Sequence, residues 1–361
     1  MTLFINGRFA TQPLSGVQRY AGEILRALDA LAGAGHGPDA VLLSPPGAPA
    51  ARLSSIAQRW IGSQRGHRWE QWEFANAAQG GVALSLAMSG PLRHPRQLVV
   101  IHDAAVHRCP EHFSWRYAAA HRWLERVLAR RAHIATVSEF SRRELAAVLG
   151  IAERDIVVAP NGADHVRGSP DRTIISRLGL DGWPFFLTLG NQAPNKNLAV
   201  IGRALARIDD PAVRLVVVGE QRASVFGRGS DLRSDPRIIL AGRLTDREVL
   251  ALLGDARALV FPSRYEGFGL PPLEAMAAGC PVLASDCAAV LEVCGGAAEH
   301  FGVDDVGALA RLMVRALGDG AWRAARRSAG SARAGLYRWA DSAAVLAAAC
   351  MELDTTMAAA A

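Results

Sequence analysis

Lysine is almost missing from this 361-residue chain: Lys196 is the only one, and every other basic side chain among its 40 Lys and Arg is arginine. An arginine-biased genome produces such a shortage, so it excludes nothing by itself. The surviving lysine falls in a loop, where a compact, flexible ammonium is useful. Paired cysteines are missing too. The five (Cys109, Cys280, Cys287, Cys294, Cys350) are odd in number and form no Cys-x-x-Cys, which argues for reduced thiols in a cytoplasmic setting. Cys280, Cys287 and Cys294 recur every seven residues, but their small apolar neighbours favour burial over metal binding. No apolar run approaches the ~18–20 residues that span a bilayer. The opening Met1-Thr2-Leu3-Phe4-Ile5-Asn6-Gly7 lacks a basic stretch and a long apolar core, and reads as a strand instead of a leader. No Asp-x-Asp metal motif stands out, and no Gly-x-Gly-x-x-Gly follows the first strand, which weighs against a nicotinamide dehydrogenase.

What is present is globular. Half the residues are hydrophobic and 20% are charged, and the length favours two domains over one core. A net charge of +6 suits anionic partners such as nucleotides or anionic lipid. A nucleic-acid binder would gather its charge on one face, whereas these arginines are spread through both halves, so no nucleic acid is expected.

Strand and helix patterns alternate almost throughout, which predicts an α/β fold of parallel sheets flanked by helices. The first series has a strand at residues 3–5 and a helix after Ser15-Gly16, with apolar Val17, Tyr20, Ala21, Ile24, Leu25, Leu28 and Leu31 on one buried face. Strands follow near residues 82–86 and 97–101, the second closing on His102-Asp103, and an arginine-rich helix is expected over 115–131. Another strand, at 134–137, runs into Ser138, a plausible N-cap. The pattern loosens between Ala163 and Pro184, which reads as the connection between two domains. A second series begins at Phe185 and continues with strands near 214–219, 237–242 and 259–261, then helices near 304–317, 321–334 and 339–353. We expect two Rossmann-like domains, 1–170 and 171–361, facing each other across a cleft, with the last helix packing back on the first domain. Ligands of such sheets bind outside the carboxyl ends of the strands.

One corner is especially informative. Glu266-Gly267-Phe268-Gly269-Leu270-Pro271-Pro272-Leu273-Glu274 sets two carboxylates eight residues apart, between apolar strands at 258–261 and 281–284. The glycine turn interrupts any helix there, so Glu266 is expected in the loop and Glu274 within the helix.

These residues carry a resemblance. The sequence is similar to the family 4 glycosyltransferases, retaining enzymes of the GT-B fold, through Ser15-Gly16-Val17-Gln18-Arg19-Tyr20, His102-Asp103, the segment from Thr136 to Ser141, and Pro160-Asn161-Gly162. It continues through Leu189-Gly190, Pro194-Asn195-Lys196-Asn197-Leu198 and the Glu-x7-Glu corner. The resemblance implies that the C-terminal domain binds a nucleotide-sugar donor and the N-terminal domain an acceptor. Lys196, read as opening a helix, would meet the donor phosphates, together with backbone N–H groups at Gly16, Gly267, Phe268, Gly269 and Leu270. Glu274 would hold the ribose, Glu266 the transferred sugar, and His102 the sugar from the opposite domain. In isolation each residue also fits a blander reading, as a turn glycine, a cap carboxylate, a satisfied turn histidine or a surface charge.

The chain departs from the family in places. Ser15 stands where many members have a second glycine, and Asn191 and Asn195 where many have arginine, which leaves Lys196 the sole cation of its loop; Arg243 is a candidate to compensate. Asn191 itself counts among the candidate donor contacts. The resemblance implies front-face substitution with no cofactor and no metal. It is nearest to bacterial polysaccharide mannosyltransferases, so GDP-mannose is the favoured donor, with UDP-glucose and dTDP-rhamnose open. The acceptor would be a saccharide or lipid-linked saccharide, with peripheral membrane contact through the aromatic, arginine-rich helix. A catalytically silent nucleotide-sugar-binding partner is the rival.

Overall fold

The alternating pattern builds two separate parallel sheets. A computed structural model describes residues 2–190, 193–219 and 235–358. The chain divides into two units, one of residues Met1–Gly162 with Arg338–Ala361, the other of Ala163–Tyr337. The division therefore falls after Gly162 and not at residues 170/171, because Ala163 already donates its N–H to the Tyr337 carbonyl, 3.1 Å away. The last helix, Trp339–Ala358, belongs to the first unit. Trp339 meets Tyr20 edge-on at 5.7 Å, the Ser342 hydroxyl donates to the Pro160 carbonyl at 2.6 Å, and Asp354 pairs with Arg96 at 2.9 Å.

In the first unit the strands are β1 (Thr2–Asn6), β2 (Asp39–Ser44), β3 (Ala57–Trp60), β4 (Val82–Ser85), β5 (Gln97–Val100), β6 (His133–Thr136) and β7 (Ile156–Val158). They lie in the order β3-β2-β1-β4-β5-β6-β7, and each pairs in parallel with its neighbours. Every residue of β4 and β5 is buried, as expected for strands covered on both faces. The first helix, Gly16–Gly33, buries Tyr20, Ala21, Ile24, Leu25 and Leu28, while Val17 and Leu31, towards its two ends, are only half-buried. The aromatic helix runs Trp115–Leu128, three residues short of the expected Arg131. Ser138 caps the helix Glu139–Leu149 by accepting from the Ser141 N–H.

The second unit holds β8 (Phe185–Leu189), β9 (Arg214–Val218), β10 (Ile238–Gly242), β11 (Leu259–Phe261), β12 (Val282–Ser285) and β13 (Glu299–Phe301), ordered β10-β9-β8-β11-β12-β13. The loosened stretch after Ala163 is part of this unit and not a connection between the two, and it contains a short helix, Thr173–Arg177. Phe186, Val217, Val260, Leu283, Phe301, Met313 and Trp322 share one core beneath the helices. Strand order reverses once in each sheet. The chain leaves β1 towards β2 and β3, then returns to add β4 on β1's other side; it leaves β8 towards β9 and β10, then returns to β11. Loops diverging at such a reversal open the crevice where open α/β sheets bind ligands.

Candidate active site

In the second unit the loops after β8 and β11 meet at the reversal. Gly190 follows β8 at φ +142°, a conformation that favours glycine. Beyond it a 3-10 turn, Pro194–Lys196, is followed by Asn197 at φ +50°. The helix begins only at Ala199. Lys196 therefore does not open a helix, as the sequence suggests; the proline turn and the left-handed Asn197 stand in between.

Hydrogen bonds stitch this loop to its neighbours. The Arg264 N–H donates to the Asn195 carbonyl at 2.7 Å, and the Asn195 amide donates to the Tyr265 carbonyl at 3.3 Å. Asn197 donates to the Val303 carbonyl at 2.8 Å, and Arg264 reaches both Asn197 and Asp304. The stitching brings Lys196 Nζ to 2.5 Å from Glu266 Oε1, with both side chains largely buried. The lysine stem passes over Gly190, with Cε 3.8 Å from where a Cβ would stand, and the ammonium lies 5.6 Å from the Phe261 ring centre. Asn195 thus works as a structural tie. Asn191 lies outside the described residues.

The turn after Glu266 is buried from Gly267 to Leu270. Gly269 sits at φ +101°, where a Cβ would also come within 3.1 Å of Val290. Phe268 packs edge-on against Tyr337, ring centres 5.7 Å apart. Leu270 starts the helix Leu270–Ala277, helped by Pro271 and Pro272. Glu274, the fifth residue of that helix, accepts from His165 Nε2 at 2.9 Å. Sequence reasoning misses His165, which lies in the loosened segment with no spacing to mark it. Arg243 is exposed, one residue beyond β10.

Gly16 and His102 belong to the first unit. Gly16 is exposed and opens the first helix, and Ser15 makes no side-chain cap there. His102 is buried, 7% exposed, edge-on to Tyr20 at 4.8 Å. Its Nε2 lies 3.0 Å from the Leu86 carbonyl. A carbonyl only accepts, so Nε2 carries the proton and Nδ1 is left as an acceptor. Burial pushes the imidazole down to about 4, so His102 is neutral near pH 7 and suited to accept from a hydroxyl. Asp103 fixes the turn by accepting from the Ala105 N–H.

A second polar cluster escapes sequence reasoning. At the β1/β4 reversal, Glu70 takes bonds from Asn6 (2.9 Å), Arg8 (3.0 Å) and Ser89 (3.0 Å), and meets His67 Nδ1 at 3.1 Å. Burial alone would raise Glu70, but the His67 bond and the Arg8 charge outweigh it and hold the carboxyl below its usual range. Glu70 lies in a π-helical turn, Trp69–Phe74, a device frequent at functional sites. Cys280, Cys287 and Cys294 are buried, and burial pushes the first and last thiols up to about 12. Among the described residues the one group close enough to share a metal ion is Cys109, Glu111 and His112, on the turn before the aromatic helix.

Comparison with known proteins decides the family. The profile described as Glycosyltransferase Family 4 matches residues 14–167, and that described as Glycosyl transferases group 1 matches residues 184–319. The chain belongs to glycosyltransferase family 4. Its similarity to O-antigen chain mannosyltransferase B of Escherichia coli is 28% identity over 260 residues, 69% of this chain and 68% of that protein. Serotype-specific mannosyltransferase WbdA of Escherichia coli is 30% identical over 197 residues, covering 52% of this chain but only 23% of that one. In fold, this family 4 chain is similar to Anabaena Alr3699/HepE, solved with UDP and glucose. The TM-score is 0.71 at 17% identity, over 99% of each chain. The architecture is the two-domain α/β GT-B fold.

The buried His102 generates a pH prediction. Its folded pKa lies below the ordinary 6.5, so the unfolded chain binds more protons and stability falls as pH drops from 6.5 towards 4. The loss is about 1.4 kcal/mol per pH unit, or about 2 kcal/mol at pH 5. Urea midpoints at pH 7 and pH 5 should show this increment in the wild type and lack it in His102→Gln. Equal pH dependence of the two proteins would reject a neutral buried histidine.

Proposed function

We propose that the protein transfers a hexose, mannose from GDP-mannose first, to a saccharide or lipid-linked saccharide during surface polysaccharide synthesis, with retention of anomeric configuration. The observation that carries this reading is the Lys196–Glu266 pair at the sheet reversal, beside the buried glycine turn. An ammonium has three N–H donors; one reaches Glu266, and two remain for diphosphate oxygens. As the glycosidic bond breaks, charge gathers on the leaving phosphate, where a preorganised cation stabilises the transition state more than the ground state. Glu266 orients Lys196 and lies where it can hold a sugar hydroxyl, and Glu274 holds the ribose. Neither carboxylate is then free as a nucleophile. This supports front-face substitution, in which the leaving phosphate draws the proton from the acceptor hydroxyl. In this scheme Lys196 and backbone N–H groups do the work a metal would do. The mannosyl preference rests on the activities of the two mannosyltransferase relatives.

On this reading Lys196→Ala lowers turnover by about 2–4 kcal/mol of transition-state stabilisation, measured as transfer or donor hydrolysis. Near-normal turnover removes the phosphate role, and a wild type that neither transfers nor hydrolyses any donor favours the silent-partner reading. In a thermal-shift comparison of GDP-, UDP-, dTDP- and ADP-sugars, GDP-mannose should raise the melting temperature most, because a ligand bound to the folded state stabilises by mass action. A larger shift with UDP-glucose overturns the mannosyl assignment.

Peripheral contact with an anionic membrane belongs to the same reading. The aromatic helix exposes Trp115 and Trp123, 75% and 59% accessible, beside exposed Arg116 and Arg126. Its one carboxylate, Glu125, turns inward to His107 at 2.9 Å. Tryptophan favours the headgroup level, and arginine is drawn to anionic lipid. No helix among the described residues is long and apolar enough to cross a membrane. The protein should co-sediment with phosphatidylglycerol vesicles and not with phosphatidylcholine vesicles, and Trp115→Ser with Trp123→Ser should weaken this. Binding unaffected by lipid charge or by the substitutions rejects the contact.

A further inference from the structure

The second unit begins where the chain passes out of the first, after Gly162, and ends at Tyr337. The first residues past that point are held on the main chain. Ala163 donates to the Tyr337 carbonyl at 3.1 Å, Val166 to Ala163 at 3.0 Å, and Arg167 to His165 at 2.8 Å. His165 thus stands on a tethered backbone, and its ring points at the Glu-x7-Glu corner. Its Nε2 lies 2.9 Å from Glu274 Oε1, with side chains 9% and 19% exposed. A carboxylate only accepts, so Nε2 is the donor and Oε1 is occupied. His165 is the one side-chain partner of Glu274 among the described residues.

A glutamate that reads a hydroxyl must hold one rotamer. Left alone, its side chain loses considerable rotational freedom on binding; fixed in advance, it does not. From this geometry we propose that His165 is a positioning residue for nucleotide recognition. It holds Glu274 by Oε1, so that Oε2 meets the ribose hydroxyls, and it thereby gives the site its preference for ribonucleotides. The inference rests on the reading of Glu274 as the ribose carboxylate.

The test is calorimetric binding of GDP and UDP, each beside its 2′,3′-dideoxy counterpart, to the wild type, Glu274→Gln, His165→Ala and His165→Gln. The wild type should prefer the ribonucleotide. His165→Ala should weaken it by about tenfold, the scale of one hydrogen bond to a charged group, and leave the dideoxy ligand nearly unchanged. His165→Gln, whose amide can still donate to Glu274, should recover most of the loss, and His165→Ala should add nothing on a Glu274→Gln background. If His165→Ala weakens both ligands equally, the histidine only supports the fold; if it weakens neither, it does not act through Glu274. Either result overturns the inference. Loss of ribose preference in Glu274→Gln but not in His165→Ala removes the positioning role alone. No loss in Glu274→Gln removes the ribose reading itself. If His165→Ala does not fold, His165→Asn, with an amide too short to reach Glu274, makes the same comparison.

Discussion

Where the order of a parallel sheet reverses, strands that are distant in sequence lie side by side with their carboxyl ends uncovered, and both polar centres of this protein stand at such a reversal. Elsewhere in a parallel sheet each crossover helix covers the gap between neighbouring strands. At a reversal the two crossovers leave on opposite faces, so the carboxyl ends of adjacent strands stay uncovered. β8 and β11 are neighbours in space with β9 and β10 between them in sequence. Lys196 and Glu266, 70 residues apart, come together for that reason. The Asn6–Arg8–Glu70 cluster occupies the equivalent place beside β1 and β4.

The two centres differ in how they satisfy their charges. Glu70 is saturated, with Asn6, Arg8, Ser89 and His67 around it and almost no exposure. Such a network fixes local geometry, and removing one partner leaves an unsatisfied buried group. The Lys196–Glu266 pair is simpler and retains about a fifth of its surface. It keeps donors and an acceptor oxygen in reserve, as the proposed role in donor binding requires.

The part of this arrangement legible in the sequence is the part written locally. Leu259–Phe261 is a short apolar run ended by turn residues, and the Gly267–Gly269 turn followed by two prolines marks the start of a helix, so the corner is legible in the residues themselves. β2 and β3 were harder to see. β3 is an edge strand with Ala57, Arg59 and Trp60 exposed, so it lacks the apolar signature of its neighbours. The π turn around Glu70 has no sequence signature at all. His165 and Arg8 acquire their partners across 109 and 62 residues, and one sequence carries no trace of such pairings. The sequence suggests a helix start at Lys196 that the structure lacks, because the asparagine after it adopts a left-handed backbone that most residues avoid.

The identity of the cation follows from what surrounds it. All the other Lys and Arg positions in the chain are arginine, yet an arginine at position 196 would act differently. A guanidinium engages a carboxylate through a planar, two-pronged fork, which would tend to commit it to Glu266 and turn its remaining donors along fixed directions. An ammonium is a compact charge whose three donors rotate together. In the proposed reaction it can keep one bond to Glu266 while the other two follow oxygens that move as a phosphate departs. The stem must also pass over Gly190 with its Cε 3.8 Å from the Cβ position, a path better suited to a slender alkyl chain than to a wide planar group. Within an arginine-biased composition, position 196 is thus where the chemistry of lysine is hardest to replace.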